Sequence, residues 1–298
     1  MNPSRQRTIG LPLGLASLAV CGVILIAWFS LSRPVAPTPP APPSSTQGEA
    51  PDLQDPATRA FRSRLAAVAP AASATLEAEL ARARATDTPH QDQAQIVVRA
   101  AFAQFQDQAL AMRSAATPGY DQLLGHVRSG LAALQASQSN WCKAHRIEAL
   151  LRQPTPDLVE QVLSQFAYGT PQYDWLMQWG TLYLEAARQA RTEPVRHGPR
   201  TARDKRVLQD YGRQLAAREW QLALQIAAFS QAEGQGYDTM RETIAGIDVC
   251  RLGITAIDLS AQLPEPVRGR IWAELLPELM YGNTPYALYL VTGYFFLD

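Results

Sequence analysis

The chain has 298 residues, enough for one large or two smaller folded units, with 27 Lys+Arg balanced by 27 Asp+Glu. A formal net charge of zero argues against a dedicated nucleic-acid binder, which needs a clear basic excess. No CxxC, P-loop, GxSxG or HExxH appears, so the common signatures of redox, phosphate, acyl-transfer and zinc-hydrolase chemistry are missing.

Residues 1–8, "MNPSRQRT", carry Arg5 and Arg7 and read as a cytoplasmic tail. From Ile9 to Leu31 no charged residue occurs. About 23 residues suffice to span a hydrocarbon core with some tilt, so 9–31 is expected to be a transmembrane anchor. The basic flank before it, against a lone Arg33 after it, predicts the amino terminus inside and the rest outside. The expectation is a single-pass protein of a bacterial inner membrane, with its main domain in the periplasm. A cleaved signal and lipidation at Cys21 are the rivals. The apolar run is too long for the first, and Val20 suits the second badly.

Residues 32–56 include "SRPVAPTPPAPPSSTQGEAP", which favours extended polyproline II and cannot build a core. They read as a disordered spacer. Beyond them the pattern is helical and the fold class all-α. "DPATRAFRSRLAAVA" and "SATLEAELARARA" supply leading helices over 57–92. A first helical unit follows over 93–192, where Val98, Ala101, Phe102, Phe105, Ala109 and Met112 recur at three-and-four spacing. A basic loop over 193–204 precedes a second unit over 205–298, whose opening stripe runs through Leu208 and Tyr211. The last run, "LYLVTGYFFL", fits helix and strand equally well.

The two units share landmarks in one order. "PGYDQLL" matches "QGYDTMR", Cys142 matches Cys250, and "AYGTPQYDWL" matches "MYGNTPYALYL", at offsets of about 117, 108 and 113 residues. The last phrase spells a joint between helices. Gly169 ends one helix in a left-handed cap, Thr170 caps the next, and Pro171 fits its first position; Gly282, Thr284 and Pro285 repeat the pattern. Together the landmarks predict a tandem duplication of a four-helix unit. With Cys21 in the membrane, Cys142 and Cys250 remain as an even pair outside. Copies related by a pseudo-twofold axis would let them bond, the other option being two buried thiols.

Chemistry is thinly represented. Cys142 and His145, with His126, fall short of a metal site, and no cofactor is expected. Glu77 and Glu79 lie on an Arg-laced helix and read as solvated, with intrahelical ion pairs. Glu274 and Glu278 flank Pro277, which is expected to kink or break its helix. The run Arg188, Arg191, Arg196, Arg200, Arg203, Lys205 and Arg206 faces only Glu193 and Asp204. It is a candidate contact for an anionic partner or lipid surface, or else a solvated connection. Aromatic residues crowd the joints. Tyr173, Trp175, Trp179, Tyr286 and Tyr289 are either core or the lining of a groove.

The order of anchor, Pro/Ala spacer and extracytoplasmic helical domain is similar to that of the lipase-specific foldases. The resemblance covers layout alone, because Thr170 stands where the arginine of their RxxFDY stretch would be. The functional expectation is a non-enzymatic scaffold, assembly factor or chaperone-like protein that binds another envelope protein. The alternatives are an envelope hydrolase with an unrecognised site and an anionic-lipid-binding module.

Overall fold

The computed structural model describes residues 53, 55–143, 164–199, 201–218 and 248–281. Among these, 79 % are helical and no strand forms, which makes this part of the chain all-α. The anchor 9–31, nearly all of the spacer, the second joint at Gly282–Pro285 and the carboxyl-terminal aromatic run lie outside the described residues. Among the described residues no helix is long and apolar enough to cross a membrane.

Helix α1 (Pro56–Val68) starts where the Asp55 carboxylate accepts the Thr58 N–H at 2.8 Å and Pro56 takes the first turn. Pro70 opens α2 (Pro70–Ala85). Helices α3 (His90–Asp107) and α4 (Ala109–Met112) bury the whole stripe from Val98 to Met112. They are two helices where the periodicity suggests one. The Tyr183 hydroxyl donates to the Phe105 carbonyl at 2.9 Å, the acceptor an unbroken helix would offer to Ala109. A tertiary hydrogen bond thus divides a locally continuous pattern.

Helix α5 (Thr117–Ala136) leads through a 3-10 turn (Asn140–Cys142). Helix α6 (Pro171–Thr192) follows the expected joint: Gly169 has φ +78° and Thr170 accepts the Tyr173 N–H at 3.2 Å. Helices α7 (Ala202–Arg218), α8 (Val249–Ser260) and α9 (Glu265–Met280) complete the described set.

The core wraps α6, which α1, α3, α4 and α5 all contact. Its buried positions, among them Tyr173, Leu176, Met177, Trp179, Gly180, Tyr183, Leu184 and Ala187, fill one half of the helix surface, with Asp174, Gln178, Glu185 and Gln189 on the other half. Gly180 allows α1 to approach, since a Cβ there would stand 3.0 Å from the Phe61 ring. Thr58 meets Tyr173, Phe61 meets Gly180 and Arg64 meets Glu185, so α1 and α6 run parallel. Helix α5 runs the other way, with Gly119 beside Ala186 and Gly130 beside Trp175.

Helix α9 continues through Pro277 to Met280, against the expected break. Ala273, Leu275, Leu276, Leu279 and Met280 are all buried around it. That burial offsets the roughly 3 kcal/mol that an interior proline costs an exposed helix. Leu208 of α7 and Leu263, just before α9, form a small second cluster with Tyr211.

Candidate functional site

Cys142, after α5, and Cys250, in the first turn of α8, are joined by a disulfide that closes a separation of 108 residues. Lys143 and Asp248 form an antiparallel bridge beside it. Asp248 also caps α8, accepting the Arg251 N–H at 2.9 Å, and takes a hydrogen bond from Gln135 of α5. The Asp248 carboxylate and the two sulfurs lie within 4.8 Å of one another. With the sulfurs bonded to each other they offer no thiolate, so the group is a covalent staple here.

The aromatic candidates divide by depth. Tyr173 and Trp179 are core residues, 0 % and 2 % exposed, so neither lines an open groove. The Tyr173 hydroxyl pairs with Thr58 Oγ1 at 2.8 Å, and burial raises its pKa well above the ordinary phenol value. Trp179 packs its ring on the edge of Phe105, centroids 4.4 Å apart. Trp175 is half-buried and stacks on His126, centroids 5.3 Å apart and 13° from parallel. Its indole N–H donates to the His126 carbonyl, and His126 Nε2 meets the Trp175 carbonyl, both at 2.9 Å. Burial lowers the His126 pKa against the opposing effect of that backbone bond. The ring is therefore held neutral near pH 7 as a packing element. Tyr286, Tyr289 and His145 lie outside the described residues.

Beneath this cluster, Tyr120, Leu123, Leu124, Val127, Trp179, Trp272 and Leu276 line a cavity of about 10 Å³. That is the size of a single water. It is far below the few hundred Å³ that a small-molecule site occupies.

Of the four candidate acids, Glu77 and Glu278 are in ion pairs between elements. Glu77 accepts both Arg62 donors, at 2.6 and 2.8 Å. The pair therefore joins α2 to α1, where the sequence suggested partners within one helix. Glu278, nearly buried, accepts from Arg113 at 2.8 Å. Asp204, 2 % exposed, binds Arg270 through both oxygens, at 2.6 and 2.9 Å, and exchanges capping bonds with Thr201. Burial alone would raise its pKa, but the bonds from Arg270 and Thr201 outweigh that and lower it.

The basic run is the most exposed of the predicted sites. Its connection spans 193–201, with α7 starting at Ala202. Arg188 is tied to Glu185 at 2.7 Å, and Arg191 donates to the neutral Gln108 side chain. Arg196, Arg203 and Arg206 are exposed, Lys205 is half-buried, and Arg200 lies outside the described residues. The loop is held in place at two points: Val195 N–H donates to the Ser114 carbonyl at 2.9 Å, and His197 Nε2 donates to the Ala115 carbonyl at 2.7 Å. Gly269 of α9 leaves the room for His197, since a Cβ there would sit 2.6 Å from its Nδ1. Asp204, the acid nearest in sequence to Arg203 and Arg206, is consumed by Arg270. Asp204 is thus withdrawn as a counter-charge, while Glu193 stays exposed in the loop itself.

Comparison with protein-family models, curated proteins and solved structures found no match for the chain.

Proposed function

We propose that the chain is a membrane-anchored scaffold or assembly factor that binds another envelope protein. In this reading residues 9–31 hold it in a bacterial inner membrane, amino terminus inside. The spacer over 32–56 presents a periplasmic all-α body built from two related helical units. The observation that carries the proposal is the disulfide between Cys142 and Cys250. Disulfides persist in oxidising compartments and are rare in a reducing cytosol, which agrees with the charge-free stretch before the spacer. The same bond supports the duplication. The two cysteines hold equivalent places in the proposed copies, and they meet across an antiparallel bridge, as residues beside a pseudo-twofold axis would. A closed interior and a charged surface suit a protein that works by contact.

Two measurements test this. Thiol labelling of intact cells should find Cys142 and Cys250 protected until reductant is added. Full labelling without reductant sinks the compartment argument. Crosslinking in native membranes, with a chain ending at residue 56 as control, should yield one near-stoichiometric envelope protein from the full chain alone. An empty result counts against a scaffold.

A further inference from the structure

Among the described residues one group of three histidine, cysteine or acidic side chains is placed to hold a metal ion: Cys142, Asp248 and Cys250, whose ligand atoms lie within 4.8 Å of one another. Bonded together, the two sulfurs offer no thiolate. A chain leaves synthesis with free thiols, however, so a dithiol state precedes the bond. Three contacts hold the group without it. Backbone pairing of Lys143 with Asp248 joins the residue after one cysteine to the residue two places before the other. The Asp248 carboxylate is oriented by the Arg251 N–H at 2.9 Å and by Gln135 of α5 at 3.4 Å. Helix α8 packs along α5, and Arg128 of α5 donates to both carboxylate oxygens of Asp258 on α8, at 2.5 and 2.9 Å. None of these contacts passes through the sulfurs.

The donor types select the ion. Two thiolates and a carboxylate suit zinc, which accepts sulfur and oxygen together. Calcium and magnesium take oxygen alone, and cuprous copper prefers an all-sulfur shell. Around a tetrahedral zinc such donors stand about 3.5–4 Å apart, a spacing this group reaches once the sulfurs part. Cys250 lies in the first turn of α8, where the helix dipole favours a thiolate. The cysteines are buried, at 7 % and 0 % exposed, while Asp248 is half-buried. The shell is therefore dry on its sulfur side and open to one water on its carboxylate side.

We propose that the dithiol form of Cys142 and Cys250, with Asp248, binds one zinc ion, and that formation of the disulfide expels it. On binding, both thiols lose their protons and two zinc–sulfur bonds form, with the Asp248 carboxylate as third ligand. Oxidation needs a dithiol oxidase that carries a disulfide of its own. The two zinc–sulfur bonds break as the Cys142–Cys250 bond forms. The oxidase disulfide takes up two electrons and two protons to become a dithiol, and Zn2+ leaves. Either link ties α5 to α8 at one point, so zinc holds that junction until the covalent bond replaces it. The site needs only the paired cysteines and Asp248, and is independent of any binding partner.

The test titrates zinc into the full chain in detergent micelles, reduced without oxygen, with cobalt(II) as the spectroscopic probe. The expected result is one zinc per reduced chain, a thiolate-to-cobalt charge-transfer band, and release of the metal on oxidation. The disulfide form should take up none. Cys142→Ser keeps Cys21 and Cys250 and should lose the band; the reduced parent is its reference, since neither has the disulfide. Asp248→Asn keeps the cap of α8, because asparagine caps as well as aspartate. It should weaken zinc binding at least about tenfold, as damage to a metal's ligand shell does. Melting of the oxidised parent and Asp248→Asn proteins checks that this variant folds, and Cys142→Ser decides the thiolates independently. A reduced chain that takes up no zinc, whether folded or unfolded, overturns the proposal. So does uptake that Cys142→Ser retains, that Asp248→Asn leaves unchanged, or that the disulfide form shares.

Discussion

At the amino end of α6 the side chains are closed in on one another. Tyr173 is fully buried and bonded to Thr58, and Trp175 and His126 exchange hydrogen bonds through their backbones. Helix α5 runs past Trp175 towards the disulfide. At the carboxyl end of the same helix, Arg191 reaches out to Gln108, and the chain continues into an exposed loop with Val195 and Arg196 on its surface. The first end uses aromatic area and a covalent link, which serve stability. The second leaves apolar and charged groups in water, where they contribute almost nothing to folding. Conformational stability and surface chemistry have been assigned to opposite ends of one helix.

The comparison is sharpened most by the disulfide. Cys142→Ser with Cys250→Ser, or reduction of the native protein, should lower stability by about 2–5 kcal/mol in urea unfolding, given a closed loop of this length. A loss below about 1 kcal/mol would mean that the amino end does not depend on its staple. Next in size is the buried Thr58–Tyr173 pair. Tyr173→Phe leaves the Thr58 hydroxyl buried without its partner and should cost about 1–3 kcal/mol. Adding Thr58→Val should recover most of that, so a double-mutant cycle reads the coupling directly.

A third test uses pH. The Asp204 pKa is lowered in the folded protein, net of a burial effect that opposes the shift. Its contribution is therefore present above the ordinary carboxylate range and is lost as pH falls through the lower folded value. The melting temperature of the parent should drop more steeply on acidification than that of Asp204→Asn. Parallel curves would remove the Asp204–Arg270 pair from the account of how α7 is held. The smallest expected effect is at the open end. Arg196→Glu should change stability by less than about 0.5 kcal/mol, as exposed substitutions do. A large loss there would show that the loop is part of the folded core.

The local instructions were legible in the sequence. Gly169–Thr170–Pro171 starts a helix where written, because a cap needs only the side chain and backbone of residues a few places apart; Asp55 and Pro56, read as the end of the spacer, start one in the same way. The stripe from Val98 to Met112 is buried as its spacing requires. The all-α class follows from the same periodicity, for the described residues. What the sequence left open needed contacts across the chain. For Tyr173 and Trp179 the sequence favoured core over groove, and α1 and α3 cover them. Glu77 found Arg62 on the neighbouring helix, and the Tyr183 hydroxyl divided α3 from α4. Pro277 stayed helical because apolar neighbours surround it. Val195 and Ser114 are far apart in sequence, and only folding brings their backbones into one hydrogen bond. Capping and periodicity act over three or four residues and can be read locally. Burial, ion pairing and shared surface depend on which remote residues meet, and no local pattern encodes that.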